Sequence, residues 1–198
     1  MVRQYDLDLM VDLVAAQMQW ESDRFDLGGR RIEQHFREFN WFLSQLDYNH
    51  KSMLVIGSKS GGVEMRVRQI CPWVGKIVSC DLVSHENTFA DALIVGNSHS
   101  HEVQNLIRQH GPFDVVFIDG DHSEEGCRLD WEFAKTLNPR DVFFHDILKS
   151  TLHERCGCFV DKVWSQIKAE LYNCSEKVVG CGWGGIGRVC LRGFLNVP

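Results

Sequence analysis

From residue 51 onward the chain alternates short, β-rich apolar runs with amphipathic helical stretches, and this rhythm restricts the fold more than any other feature. Strands are expected at 52–56, 76–80, 92–95, 114–118, 141–144, 177–181 and 187–191, with helices at 62–70, 101–110, 124–136 and 160–171. Strands separated by helices are the units of a parallel sheet. The last two runs are divided only by Gly182-Trp183-Gly184-Gly185, which leaves no room for a helix, so they should pair antiparallel across a simple turn at the sheet's far edge. The pattern predicts a three-layer α/β fold around a seven-stranded, mostly parallel sheet with an antiparallel last strand. Residues 1–50 read instead as a helical extension. In it Ile32, Phe36, Phe39, Leu43 and Leu46 fall on one helix face, and Gly28-Gly29 separates two helices. With no repeat or linker, 1–198 is expected to be one domain, made of the 1–50 helical segment and a 51–198 core.

Composition narrows the classes. A chain of 198 residues buries roughly 70% of its unfolded surface, so its eight cysteines are not needed as cross-links and are read as free thiols. His153, Cys156, Cys158, Cys174 and Cys181 lack the paired C-x-x-C spacing of a zinc site. Lys and Arg number 21 against 27 Asp and Glu, a net charge of −6 with no basic run, which argues against a nucleic-acid partner. The longest apolar runs fall far short of the ~20 residues of a membrane helix. Residues 1–30 carry charge throughout, so no signal-peptide core is expected and the location is read as cytoplasmic.

Met53-Leu-Val-Ile-Gly57-Ser58-Lys-Ser-Gly61-Gly62 runs from a strand through a Gly-rich turn into a helix, an arrangement that lets a ligand approach backbone N–H groups closely. Its G-x-x-x-G spacing is neither the G-x-G-x-x-G of dinucleotide folds nor a phosphate-binding loop. Asp81 ends the second strand, where an acid can accept hydrogen bonds from both hydroxyls of a ribose, or simply be solvated. After the third strand, Asn97 of Gly96-Asn97-Ser98 can read an adenine edge or form a turn. A nucleotide-like cofactor is expected beside these residues.

Two further strands deliver polar groups at their carboxyl ends: Phe117-Ile118-Asp119-Gly120-Asp121-His122 and Phe144-His145-Asp146. If the strands are neighbours, about 4.8 Å apart, Asp119 and Asp146 can hold one cation with His145 as a third ligand. Carboxylates suit Mg²⁺, and imidazole also suits Mn, Fe or Zn. Asp119, Asp121 and His122 can alternatively just cap the helix that begins near Ser123.

These segments, with Val163-Trp-Ser-Gln-Ile167 and Gly184-Gly-Ile-Gly187, resemble the class I S-adenosylmethionine-dependent methyltransferases over about residues 30–195. The branch most similar holds the macrocin-type O-methyltransferases and proteins named cephalosporin hydroxylases. The chain departs from it at Val55, where an acid is frequent, and at Asn97, where Asp is frequent. The resemblance implies a Rossmann-like methyltransferase fold. The residues and the resemblance together lead to the expectation of a cofactor held by Gly57, Ser58, Gly61, Gly62, Asp81, Asn97, Ser98 and Asp119, a divalent cation (Mg or Mn) on Asp119 and Asp146 with His145 as a candidate third ligand, and His122 with Asp119 in catalysis. The expected activity is O-methylation of a small-molecule hydroxyl. Two alternatives remain: a non-haem iron oxygenase built on Asp119, His122 and His145, and an inactive cofactor-binding module. The helix over 32–46 leaves room for a homo-oligomer or for packing within one subunit.

Overall fold

The computed structural model describes residues 34–85, 89–179 and 182–191. In chain order it holds α1 (Phe36–Gln45), β1 (Ser52–Ile56), α2 (Gly62–Ile70), β2 (Lys76–Asp81), β3 (Ala92–Val95), α3 (His101–Gln109), β4 (Val115–Ile118), α4 (Glu124–Thr136), β5 (Asp141–His145), α5 (Thr151–Arg155), α6 (Val160–Glu170), β6 (Cys174–Lys177) and β7 (Ile186–Cys190). The seven strands form one sheet in the order β3-β2-β1-β4-β5-β7-β6. The first five are parallel, and β7 runs antiparallel to both β5 and β6. Among the described residues, no helix is long and apolar enough to cross a membrane.

Alternation along the strands sends successive side chains to opposite faces, and helices cover both. Leu54, Ile56, Val116, Ile118, Val142 and Phe144 pack with Ile107, Trp131 and Trp164 of α3, α4 and α6. Met53, Val55, Val115, Phe117 and Phe143 pack on the other face with Phe39, Phe42 and Leu43 of α1 and Val63 and Val67 of α2. Phe42 is the keystone there, with its ring centroid 4.8 Å from those of both Phe117 and Phe143. The stripe on α1 is thus satisfied by its own sheet; Ile32 and Gly28-Gly29 lie outside the described residues.

Two expectations are corrected. The sixth strand spans Cys174–Lys177, earlier than the expected 177–181, and beyond it Val179 N–H, like Gly185 N–H, donates to the buried carboxylate of Glu38. The Gly182–Gly185 stretch is therefore not a plain turn at the far edge. A short helix, α5, was not expected; Ser150 caps it by accepting from His153 N–H.

The order of strands fixes where a ligand can bind. The chain builds outward from β1 to β3, then returns to place β4 on β1's other side, and that reversal opens a crevice at the carboxyl ends of β1 and β4.

Candidate active site

A crevice of about 750 Å³ opens at this reversal, and the loops after β1, β2, β3, β4 and β5 all contribute to its walls. Ile56 is in register with Ile118 and Ile118 with Phe144, so the residues just beyond, Gly57, Asp119 and His145, emerge side by side.

Gly57 (φ +84°) permits this closeness: a Cβ there would lie 2.1 Å from the Asp119 carbonyl oxygen. The turn then delivers Gly61 (φ +80°) as the N-cap of α2 with no side-chain cap, and Gly62 and Val63 of the first turn line the crevice, where backbone N–H groups suit an anionic ligand. Ser58 is buried, and its hydroxyl has no hydrogen-bond partner among the described residues. Asp81 faces the turn, accepting from Lys59 N–H at 2.8 Å and Val83 N–H at 3.0 Å. Asn97 accepts from His99 N–H at 2.9 Å, the turn role, and Ser98 donates to the buried Asp130 at 2.7 Å. Gly57, Ser58, Gly62, Asp81, Asn97, Ser98 and Asp119 line the crevice, whereas Gly61 is not among its lining residues and serves as the N-cap of α2.

At the other end of the crevice Asp119, His122, His145 and Asp146 place one ligating atom each within 4.8 Å of one another. His145 Nδ1 lies 2.9 Å from Asp119 Oδ1 and 3.4 Å from Asp146 Oδ1, and His122 Nε2 lies 3.2 Å from an oxygen of each acid. The two rings differ in access: the His145 side chain is 4% exposed and that of His122 35%. Asp146 follows β5 with φ +61°, a left-handed conformation that costs a non-glycine residue energy and turns its carboxylate back to the cluster.

Charge coupling dominates here. Burial opposes charge on both rings, yet the two carboxylates outweigh it and push His122 up to about 10 and His145 up to about 9. Burial alone would raise Asp119 and Asp146, but the imidazoles hold both below the ordinary carboxylate range. Without an ion, two cationic rings therefore balance two acids, a charge that one dication can replace. The donor set and its spacing fit such an ion.

Sequence reasoning missed three residues. Gln34 donates from Nε2 to Asp119 Oδ2 at 2.5 Å. Glu38, fully buried on α1, accepts from Val179 and Gly185 N–H and so anchors the segment that brings Trp183 to the crevice wall. Glu64, buried on α2, accepts from Ser79 Oγ at 2.5 Å. Nothing local signals the first two, whose partners lie far away in the chain. The cysteine-rich group also resolves: Asp146, His153 and Cys158 are close, but His153 donates from Nδ1 to Leu148 O and receives Gly184 N–H at Nε2, which occupies both nitrogens. Cys181 lies outside the described residues.

No protein-family model matches the chain, and no curated protein sequence matches it. Solved structures do. The cofactor-bound Rv0187 from MTB is similar at TM-score 0.64 and 18% identity, covering 97% of this chain and 99% of that one. The O-methyltransferase TomG from Streptomyces achromogenes, solved with SAM, gives 0.58 and 17%, covering 89% and 87%. The MycE methyltransferase with Mg, SAH and Mycinamycin VI gives 0.52 and 18%, covering 82% of this chain but 50% of MycE, so the chain spans about half that protein. The fold is that of the Rossmann-like class I methyltransferases.

Proposed function

We propose that this chain is an S-adenosylmethionine-dependent O-methyltransferase that acts on a hydroxyl of a small molecule with the help of a divalent cation. The observation that carries the reading is the contact of Gly57 with the backbone of Asp119, which makes the Gly-rich turn and the carboxylate–imidazole cluster two ends of one crevice. The cofactor-bound and SAM-bound neighbours support the donor assignment through their shared fold. The seven free cysteines described fit a reducing compartment, which supports a cytoplasmic location.

In this reading the donor's amino-acid end meets the Gly57–Gly62 turn and the first N–H groups of α2, and Asp81 accepts from its ribose hydroxyls. Asp119, His145 and Asp146 hold the cation, which when bound lowers the pKa of an acceptor hydroxyl and fixes its direction. With a dication in place of the ring charges, His122, the more accessible ring of the cluster, would be neutral and would take the hydroxyl proton at Nε2. The acceptor oxygen then attacks the methyl carbon in line, the carbon–sulfur bond breaks, and its electron pair returns to sulfur to leave a neutral thioether. Holding both reactants in one crevice supplies much of the acceleration. Trp183, Cys156 and Gly157 line the wall near the acid pair, where the acceptor enters.

Calorimetry and thermal shift with S-adenosylmethionine, S-adenosylhomocysteine and 2-oxoglutarate test the reading. The two sulfur ligands should bind and stabilise. A response to 2-oxoglutarate alone would favour the iron-oxygenase alternative built on Asp119, His122 and His145. Screening hydroxylated acceptors for release of S-adenosylhomocysteine then tests turnover: His122→Ala should lower the rate about 10²–10⁴-fold with donor affinity retained. Donor binding with no turnover on any acceptor class would leave a binding module.

A further inference from the structure

We propose that the cluster at the carboxyl ends of β4 and β5 selects a first-row transition ion such as Mn²⁺, Fe²⁺ or Co²⁺ over Mg²⁺, with His145 Nδ1 as the selecting ligand. The inference rests on the cation-assisted reading of the same site and goes beyond it by naming the class of ion.

β4 and β5 pair in parallel with Ile118 opposite Phe144, so Asp119 and His145 are neighbours at the carboxyl edge of the sheet and Asp146 follows at once. His145 is buried, and its Nδ1 faces both acids, at 2.9 Å from Asp119 Oδ1 and 3.4 Å from Asp146 Oδ1. An ion that touches both carboxylates therefore meets this nitrogen as well. The separations fit a shared ion: with bonds of about 2.1 Å, adjacent ligand atoms lie about 3.0 Å apart in an octahedron and about 3.4 Å apart in a tetrahedron. His145 is held close enough to both acids to be a ligand with little rearrangement.

Ligand chemistry then decides between ions. Mg²⁺ binds oxygen, demands near-ideal octahedral geometry and keeps several waters, so an imidazole fixed in the middle of its shell removes an oxygen it requires. Manganese, iron and cobalt accept nitrogen and carboxylate together, and their affinity for a mixed set rises along the series. His122 plays another part. It sits on the loop after β4, one-third exposed, where it can face the acceptor, whereas His145 is 4% exposed and turned toward the acids.

The test uses the full chain stripped with chelator. Mn²⁺ binding is followed by electron paramagnetic resonance, Co²⁺ binding by its visible absorption bands, and Mg²⁺ enters as competitor; S-adenosylhomocysteine binding is measured in parallel by calorimetry. Mn²⁺ and Co²⁺ should bind, and displacing Mn²⁺ should take at least about a hundredfold more Mg²⁺. His145→Asp, which makes the set all-oxygen, should cut that ratio at least about tenfold, while His122→Ala should keep the Co²⁺ spectrum. Displacement of Mn²⁺ by an equal concentration of Mg²⁺ would overturn the proposal, as would binding of S-adenosylhomocysteine with no binding of Mn²⁺ or Co²⁺. Ion binding with the expected preference but without S-adenosylhomocysteine binding would sustain it and sink the methyl-transfer reading instead.

Discussion

Single side chains carry the sharpest consequences. Gly57 has no substitute: alanine at φ +84° is strained, and its Cβ would meet backbone at 2.1 Å, so Gly57→Ala should both destabilise the fold, by more than about 1 kcal/mol, and abolish donor binding in calorimetry. Glu64 is a second case. Burial pushes it up to about 7 from an ordinary 4.5, opposed by the hydrogen bond from Ser79, while Asp81 and Asp119 add to the rise. Because the folded state holds the proton more tightly than the unfolded one, stability falls as pH climbs from about 4.5 to 7 and stays lower above that window. The shift corresponds to an order of 3 kcal/mol. Glu64→Gln keeps an acceptor for Ser79 and removes the buried charge, so its melting temperature should exceed that of the parent at pH 8 and approach it at pH 4.5. Equal melting at pH 8 would mean that the carboxyl is not destabilising. Asp119, His122, His145 and Asp146 are legible in the sequence because each stands at or just past the end of an apolar run. Gln34 and Glu64 are not: an amide before a helix and an acid within one are ordinary surface residues until the fold buries them.

At the scale of elements, α1 does two jobs. Its stripe covers one face of the sheet, and Phe42→Ala should cost about 3–5 kcal/mol by opening a cavity between Phe117 and Phe143. Glu38, on the same helix, fastens the segment between β6 and β7. Burial raises Glu38 above the ordinary carboxylate range, against the two backbone N–H donors that favour its charged form. Glu38→Ala removes both of those bonds and frees the stretch that carries Trp183. In steady-state assays on an active acceptor, KM for that acceptor should rise while donor affinity, set at the opposite end of the crevice, changes little. Periodicity finds α1, and it finds the five parallel strands to within a residue or so at their ends. It places β6 late because nothing in residues 177–181 reveals that a carboxylate 141 positions away takes Val179 N–H. Propensity reads neighbours along the chain, and this bond is set by neighbours in space.

For the whole molecule, a crevice that takes both donor and acceptor, as proposed, would couple binding to unfolding. S-adenosylhomocysteine at a hundredfold excess over its Kd should add about 2.7 kcal/mol of stability. In a domain of this size that raises the melting temperature by about 5–11 °C. A scan with and without the ligand measures it, and no shift would mean that the crevice does not accept the donor. The strand order explains why so much can be read from sequence. A chain that builds β1, β2 and β3 and then crosses back must put the ends of β1 and β4 together, whatever residues stand there. The acceptor wall obeys no such rule, since it draws on Gln34 and Trp183 from opposite ends of the chain.

The bond from Gly185 to Glu38 spans 147 positions. On a ribosome, β1 to β4 and the Gly-rich turn emerge well before Trp183 does. A nascent chain can thus assemble the Gly-rich side of the crevice while the opposite wall is still being synthesised, and on the proposed reading the room for an acceptor is completed only when the β6–β7 hairpin comes back to meet α1.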